Sequence, residues 1–170
     1  MRTAEEIVKY KGMDMECVNG DTPICEALKV MNEKHIGSVL VKRDEKIVGI
    51  WTERDLLNNC LGEGFDPQKT KVGDLMSANL QSAKHDDNVY ELMDKILGKR
   101  MRHLLVEKEG EYIGILSSGD VMRATMLEKD DELKKLNAMA SWDYYENWKW
   151  EKNKIPPIIH NEEGLRVDLK

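Results

Sequence analysis

The 170-residue sequence predicts an α+β fold in which one unit is used twice and a helical extension follows. Three observations support this prediction. Residues in the first third of the chain match residues 65 positions later without a gap. Each copy contains an apolar helix face and then two short β-rich runs around a turn. Beyond Met126 the match ends, and the remaining pattern is helical and then extended.

The internal repeat is visible as identical residue pairs, and self-similarity at a fixed period indicates a repeated structural unit. One copy of about 60 residues would bury little surface by itself. The linker between the copies, Gly62 to Pro67, is short and contains helix breakers. We therefore expect the copies to pack against each other about a pseudo-twofold axis. The identical pairs include Asp21/Asp86, Glu26/Glu91, Lys34/Lys99, Leu40/Leu105, Gly49/Gly114 and Asp55/Asp120.

Each copy predicts the order α-β-α-β-β-α. A short leading helix is followed by a strand near residues 16–19 or 81–84. In the first copy Asp21-Thr22-Pro23 starts the next helix, because proline is tolerated early in the first turn. Apolar residues then recur at helical spacing in both copies, at Ile24, Ala27, Leu28 and Met31 and at Val89, Leu92, Met93 and Ile96.

A β-hairpin and a second helix complete each copy. The first hairpin is predicted over residues 38–51, with its turn at Arg43-Asp44-Glu45. The second covers residues 104–116, with its turn at Glu109-Gly110. The helices that follow are predicted from about Glu53 to Leu61 and from about Gly119 onward.

Composition excludes several functional classes. The net charge is -6 and the pI is about 5.3, whereas nucleic-acid and anionic-membrane surfaces need basic patches. No apolar run approaches the roughly 20 residues of a membrane helix. The three cysteines form no C-x-x-C pair and the four histidines are scattered, so neither a disulfide nor a metal site is predicted. A reducing cytoplasm is the expected location, with Cys25 and Cys60 packed as small hydrophobes.

The same motif follows both hairpins. Residues 49–55 and 114–120 share the form G-h-x-[T/S]-x-x-D, where h is apolar, at a strand-to-helix junction. Thr or Ser is a good N-cap and an acid favours the first helical turn, so helix capping is one explanation. The other is ligand binding, because helix N-termini attract phosphate and the carboxylate can accept both hydroxyls of a ribose. Its occurrence at the same place in both copies favours the second explanation.

The repeat order, the strand pairs and both motifs resemble tandem CBS domains (cystathionine β-synthase-type repeats), also called a Bateman module, over about residues 4–127. The resemblance implies a first CBS repeat over 1–64, a second over 68–127, and a C-terminal helix and tail over 128–170. It also implies that the two repeats pack as a pseudosymmetric disc with two clefts. In this family such clefts bind adenosine-containing ligands. The implied ligand is AMP, ADP or ATP, with NAD or S-adenosylmethionine as alternatives.

The resemblance also assigns residues to the clefts. Asp55 and Asp120 would hold ribose hydroxyls, and Thr52 and Ser117 would contact phosphate or ribose. Basic residues at the entry to the second hairpin would neutralise phosphates, although a solvated strand end is the alternative explanation for them. Val18 and Ala83 would line the adenine pockets above Ile50 and Ile115, with ordinary core packing as the alternative. The predicted nucleotide-binding set is Thr52, Arg54, Asp55, Arg102, His103, Ser117, Asp120, Val18, Ser38 and Ala83.

These assignments predict a non-enzymatic regulatory module. The sequence contains no activated nucleophile, metal-ligand cluster or general-base pair that would indicate catalysis. A structural oligomerisation or protein-interaction module with vestigial clefts is the alternative. A homodimer is expected, and no nucleic-acid or membrane partner is.

The last forty residues carry a separate prediction. Residues Leu127 to about Trp150 form a helix that is first charged and then aromatic. Trp142, Tyr145 and Trp148 are spaced three apart, and Tyr144 and Trp148 are four apart, so these four aromatic residues are predicted to share one stripe. We expect the stripe to pack on the CBS repeats or on a second copy, with docking of another protein as the alternative. An extended segment from Lys154 and a polar tail would then lie across a partner subunit.

Overall fold

The computed structural model describes residues 1–12, 14–151, 159–160 and 166–167, with side chains described for 1–12 and 14–140. The chain divides into unit 1, Met1–Met126, and unit 2, Leu127–Lys170. Unit 1 contains both repeats, and its elements follow the predicted order. Repeat 1 comprises α1 Ala4–Lys11, β1 Cys17–Asn19, α2 Ile24–Lys34, β2 Ser38–Arg43, β3 Lys46–Thr52 and α3 Glu53–Asn59. Repeat 2 comprises α4 Val72–Leu75, β4 Ser82–Lys84, α5 Val89–Gly98, β5 His103–Lys108, β6 Glu111–Ser117 and α6 Ser118–Glu151.

Each repeat contains one three-stranded sheet, and the two sheets have the same topology. The predicted hairpins are confirmed, because β2 pairs with β3 and β5 with β6 in antiparallel register. The short first strand of each repeat, β1 or β4, pairs in parallel with the next strand. Even the register shift recurs, between Val41 and Lys42 and between Val106 and Glu107. The α+β fold of two similar repeats is therefore confirmed.

The leading helix of each repeat completes the hydrophobic core of the other. Ala4 and Ile7 of α1 are buried with the core residues of repeat 2, and Val72 of α4 is buried with those of repeat 1. Backbone bonds fix both helices there: the Ala4 amide donates to Asp87 O at 2.8 Å, and the Val72 amide to Thr22 O at 2.9 Å. The sequence did not predict this exchange, which interlocks the two repeats.

The exchange explains the glycine that begins each motif. Helix α1 lies so close to β6 that a Cβ atom on Gly114 would stand 2.5 Å from Val8 Cγ1. A Cβ on Gly49 would likewise collide with the side chain of Met76, just beyond α4. Close packing therefore accounts for a glycine at both positions.

The cysteines follow the predicted packing only in part. Cys25 is half-buried in α2, in line with packing as a small hydrophobe. The same prediction for Cys60 is wrong, because Cys60 is exposed at the end of α3. Cys60 keeps the helical conformation as the residue that caps α3, but no residue of this helix is buried, so position 60 has no covered face on which to pack.

Unit 2 begins in a helix, as predicted. Helix α6 runs without interruption from Ser118 to Glu151. Two short strands, β7 Ile159–His160 and β8 Arg166–Val167, form an antiparallel pair. The described residues do not include residues 152–158 or the side chains of Trp142, Tyr144, Tyr145 and Trp148. The aromatic stripe, the extended segment and its position across a partner subunit therefore stay predictions. Within the described residues, no helix is long and apolar enough to span a membrane.

Candidate functional site: two related clefts

Two clefts lie in unit 1, and each is lined by both repeats. Cleft A has a volume of about 610 Å³, and cleft B has a volume of about 260 Å³. In each, the motif at the end of one hairpin faces the segments that lead into the first and second strands of the other repeat. Cleft A is lined by Gly37, Ile50, Thr52, Glu53, Arg54, Asp55, Ser77, Asn79, Gln81, Arg100, Met101, Arg102, His103, Ser117, Ser118 and Gly119. Cleft B is lined by Lys11, Asp14, Glu16, His35, Ile36, Gly37, Ser38, Leu40, His103, Ile115, Ser117 and Asp120.

The two linings are largely related by the sequence repeat. Most residues of cleft A have their counterpart 65 positions away in cleft B, so the clefts are two versions of one site. The repeat therefore relates the binding surfaces as well as the secondary structure. The related pairs are Asn79/Asp14, Gln81/Glu16, Arg100/His35, Met101/Ile36, Arg102/Gly37, His103/Ser38, Ile50/Ile115, Thr52/Ser117 and Asp55/Asp120.

The motif residues form a capping box in both clefts. Asp55 Oδ2 accepts hydrogen bonds from the Thr52 amide and the Thr52 hydroxyl, both at 2.8 Å. The Asp55 amide donates to Thr52 Oγ1 at 3.4 Å, and Ser117 and Asp120 make the same three bonds. Within the described residues Asp55 Oδ1 has no hydrogen bond to protein. Capping and ligand binding are thus compatible, because the box orients a carboxylate that keeps one oxygen available.

Cleft B contains a lysine that has no counterpart in cleft A. Lys11 Nζ donates to Asp120 Oδ2 at 2.9 Å and to Ile115 O at 3.1 Å. Lys11 ends the eight-residue helix α1, whereas α4 has only four residues. After α4 the chain instead pairs with β3, where Ile50 and Ser77 exchange backbone hydrogen bonds of 3.0 and 2.8 Å. The different helix lengths therefore make the clefts unequal.

Comparison with known proteins decides the family. The CBS domain model matches residues 5–62 and 72–127. The chain belongs to the CBS domain family. This CBS pair is 32% identical over 152 residues to the CBS domain-containing protein CBSX3, mitochondrial, of Arabidopsis thaliana, covering 84% of this chain and 73% of the relative. It is also similar to the crystal structure of the CBS-domain containing protein ATU1752 from Agrobacterium tumefaciens, with 33% identity, a TM-score of 0.68, and coverage of 73% and 99%.

Two more distant structures share the fold of this CBS pair. The crystal structure of CBSX2 in complex with AMP is 24% identical with a TM-score of 0.61, covering 76% of this chain and 99% of that one. The CBS domain pair of protein MJ0100, in complex with 5-methylthioadenosine and S-adenosyl-L-methionine, is 19% identical with a TM-score of 0.64, covering 75% and 98%. At these identities the similarity establishes the fold.

The positive charge of cleft A in this CBS pair comes from Arg54, Arg100 and Arg102, which outnumber the two carboxylates of its lining, Glu53 and Asp55. His103 contributes little positive charge at neutral pH. Burial lowers the pKa of His103, and the nearby charges of Lys11 and Arg102 lower it further. Arginine suits an anion site because its guanidinium stays charged and can make two parallel hydrogen bonds to phosphate.

His103 makes the stability of the CBS pair pH-dependent. Its pKa in the folded protein lies below the ordinary 6.5, so the unfolded chain binds the proton more readily. This contribution to the free energy of unfolding is fully present above about pH 6.5 and is lost as the pH falls through the folded pKa. We expect His103→Gln to lose less stability than the wild type between about pH 7.5 and 5.5 in urea unfolding. Equal losses for both proteins would contradict this prediction.

Asp120 in cleft B carries a charge that its surroundings stabilise. Burial alone would raise the pKa of Asp120, but hydrogen bonds from Lys11 and Ser117 outweigh it and lower the pKa below its ordinary value. The carboxylate therefore stays ionised. Within the described residues, no group of three or more His, Cys, Asp or Glu side chains could hold a metal ion.

The structure brings most predicted site residues to the clefts. Thr52, Arg54, Asp55 and Arg102 line cleft A, Ser38 and Asp120 line cleft B, and His103 and Ser117 line both. Val18 and Ala83 line neither; both are buried in the cores of their repeats, which was the alternative given for them.

The cleft residues that the predicted set omitted include Lys11, Asp14, Glu16, His35, Asn79, Gln81 and Arg100. All of these except Lys11 lie in the segments that lead into the strands, where the 65-residue spacing relates them in pairs. These segments carry no repeated motif, so the sequence pattern did not single them out. Lys11 has only Met76 as its counterpart, so the repeat gives no signal for it.

Proposed function

We propose that this CBS pair is a non-enzymatic regulatory module that binds an adenosine-containing nucleotide in cleft A. One observation carries the proposal: cleft A brings an ionisable carboxylate with an unpaired oxygen, Asp55, into one cavity with three arginines. Its volume of about 610 Å³ falls inside the range of about 300–1,000 Å³ that is usual for small-molecule sites.

Each group in cleft A has a separate role in the proposed complex. Asp55 accepts hydrogen bonds from the ribose hydroxyls, and the capping box with Thr52 fixes its orientation. The guanidinium groups of Arg54, Arg100 and Arg102 bind the phosphates. A charge-assisted bond of this kind is roughly twice as strong as a neutral one. Arg102→Ala should therefore weaken AMP binding more than adenosine binding.

The related structures support the ligand class. One contains AMP and another contains 5-methylthioadenosine and S-adenosyl-L-methionine. All three compounds share an adenosine core, and only AMP carries a phosphate for the arginines of cleft A. We rank AMP, ADP and ATP first for this chain, and NAD and S-adenosylmethionine after them.

Regulation requires that the ligand bind one conformation more tightly than another. Cleft A is lined by residues 50–55 of repeat 1 and residues 77–81 and 100–103 of repeat 2. A bound nucleotide therefore contacts both repeats and favours the arrangement in which both contacts are made. The proposed signal is a change in the angle or rigidity between the repeats.

Calorimetric titration of the wild-type protein with AMP, ADP, ATP, NAD, S-adenosylmethionine and adenosine tests the proposed function. We expect saturable binding of at least one phosphate-bearing ligand, with adenosine binding more weakly than AMP. The absence of binding by the folded protein would reject the proposal. It would favour a structural or interaction module whose clefts are vestigial.

The expected homodimer also has a candidate surface in unit 1. Four large apolar side chains are exposed at related positions: Leu57 and Leu61 in and after α3, and Met122 and Met126 in α6. The members of each pair are 65 residues apart, so the surface follows the pseudo-symmetry. We propose that a second copy covers it. Leu57→Lys with Met122→Lys should convert a dimer into a monomer in light scattering, and a monomeric wild type would reject the surface.

A further inference from the structure

The two clefts differ in charge at related positions, and cleft B is the more negative. Two neutral amides of cleft A, Asn79 and Gln81, are replaced in cleft B by the carboxylates Asp14 and Glu16. The arginines of cleft A are also replaced. The replacements are Arg54 by Gly119, Arg100 by His35 and Arg102 by Gly37.

The amide and carboxylate side chains occupy the same structural place. Lys99 Nζ donates to Gln81 Oε1 at 2.7 Å, and Lys34 Nζ, 65 residues earlier, contacts Glu16 Oε1 at 3.0 Å. The contact is thus preserved between repeats while the contacted group changes from an amide to a carboxylate. The two clefts therefore differ in charge rather than in local geometry at this position.

Lys11 does not restore a positive charge to cleft B. Its ammonium group is bound to the carboxylate of Asp120, and the two side chains are only 22% and 27% exposed. The pair is therefore internally neutral, as is the pair of Glu16 with Lys34, so the carboxylate of Asp14 and the loss of the three arginines set the charge of the cleft. The lysine also takes up space, and the remaining volume of about 260 Å³ lies below the usual range of about 300–1,000 Å³.

We propose that cleft B admits only an adenosine ligand without a phosphate group, and that Lys11 leaves Asp120 when the ribose of this ligand binds. This inference rests on the proposed function, because it gives Asp120 the ribose-binding role of Asp55. A phosphate in cleft B would lie close to carboxylates, which are also negatively charged. Repulsion between like charges is an effective way to exclude a ligand. A nucleoside has to compete only with the Lys11–Asp120 bond.

Substitution of Lys11 tests whether it competes with the ribose for Asp120. The background substitution Asp55→Ala weakens binding in cleft A, so that binding in cleft B can be measured. We expect Lys11→Met in this background to raise the affinity for adenosine by about tenfold, since one charged hydrogen bond no longer competes. The affinity for AMP should not rise. Lys9→Met is the matched control, because Lys9 lies on the same helix, is 72% exposed and pairs with Glu5 outside the cleft. Calorimetry with adenosine and AMP measures all three proteins, and Lys11→Gln replaces Lys11→Met if that variant fails to fold.

Replacing the carboxylates of cleft B by amides tests whether they exclude a phosphate group. The double substitution Asp14→Asn with Glu16→Gln gives cleft B the amides of cleft A. In the Asp55→Ala background it should raise the affinity for AMP. The affinity for adenosine should change by less than about threefold. Three results would overturn the inference: weaker adenosine binding by Lys11→Met, no adenosine binding by any variant, or equal affinity of the unexchanged cleft B for AMP and adenosine. The wild type would still show Asp55-dependent AMP binding in each case, whereas failure of the proposed function would abolish that binding.

Discussion

Asp55→Ala is expected to lower the affinity of the CBS pair for AMP by about 100-fold. The carboxylate is the group in cleft A that can accept both ribose hydroxyls, and two charge-assisted hydrogen bonds of this kind together account for a loss of that size. Calorimetric titration of the wild type and the variant under identical salt conditions measures the ratio. Unchanged AMP affinity in the variant would contradict the placement of the nucleotide.

Asp120→Ala is the matched control for this experiment. It removes the related carboxylate and breaks the same capping box at the second junction. Because Asp120 lies in cleft B and is bound to Lys11, we expect it to change AMP affinity by less than about threefold. Asp55→Asn separates binding from folding, since it keeps the size of the side chain and removes its charge.

Gly114→Ala is expected to lower the free energy of unfolding by about 1–3 kcal/mol, the usual range for overpacking a well-filled core. The new methyl group would stand 2.5 Å from Val8 Cγ1, and a β-branched side chain has little freedom to move away. Helix α1 would therefore have to shift from β6. Urea unfolding measures the change.

Gly98→Ala provides the contrast, because nothing lies within 4 Å of the added methyl group. Alanine is the better residue in a helix, and this substitution should stabilise the protein by about 0.5–1 kcal/mol. Adding Val8→Ala to Gly114→Ala should recover part of the lost stability, because the free-energy effects of substitutions at contacting residues are not additive. Equal stability of Gly114→Ala and the wild type would show that α1 does not pack tightly on β6.

The fold was predictable because the local hydrophobic pattern indicates the same elements in both copies of the repeat. Short β-rich runs around a turn identified the hairpins, and helical spacing identified α2 and α5. The partner of each leading helix was not predictable, because the apolar face of α1 does not by itself specify which sheet covers it. The prediction for Cys60 was wrong for a related reason, because an apolar position on a short helix does not show whether another element covers it.

The candidate site was predictable where the repeat made it conspicuous. Thr52, Asp55, Ser117 and Asp120 were found because the motif occurs twice. The contribution of residues 79–81 and 14–16 was not, because it depends on which repeat each cleft faces. Lys11 reaches cleft B because it stands at the end of the eight-residue helix α1. Helix α4 has only four residues, and the sequence pattern did not show this difference in length.

The exchange of the leading helices also determines when each hydrophobic core can form during synthesis of the chain. Residues 4–7 find their core only after β6 has been made, more than 100 residues later along the chain. At about 5–20 residues per second, the ribosome needs roughly 5–20 seconds to provide that partner. During this time α1 is a short amphipathic segment without a core, as isolated helices of this length are marginal in water. A cut in the Gly62–Pro67 linker would give two fragments that each carry the other's missing helix, so that neither completes its core without the other.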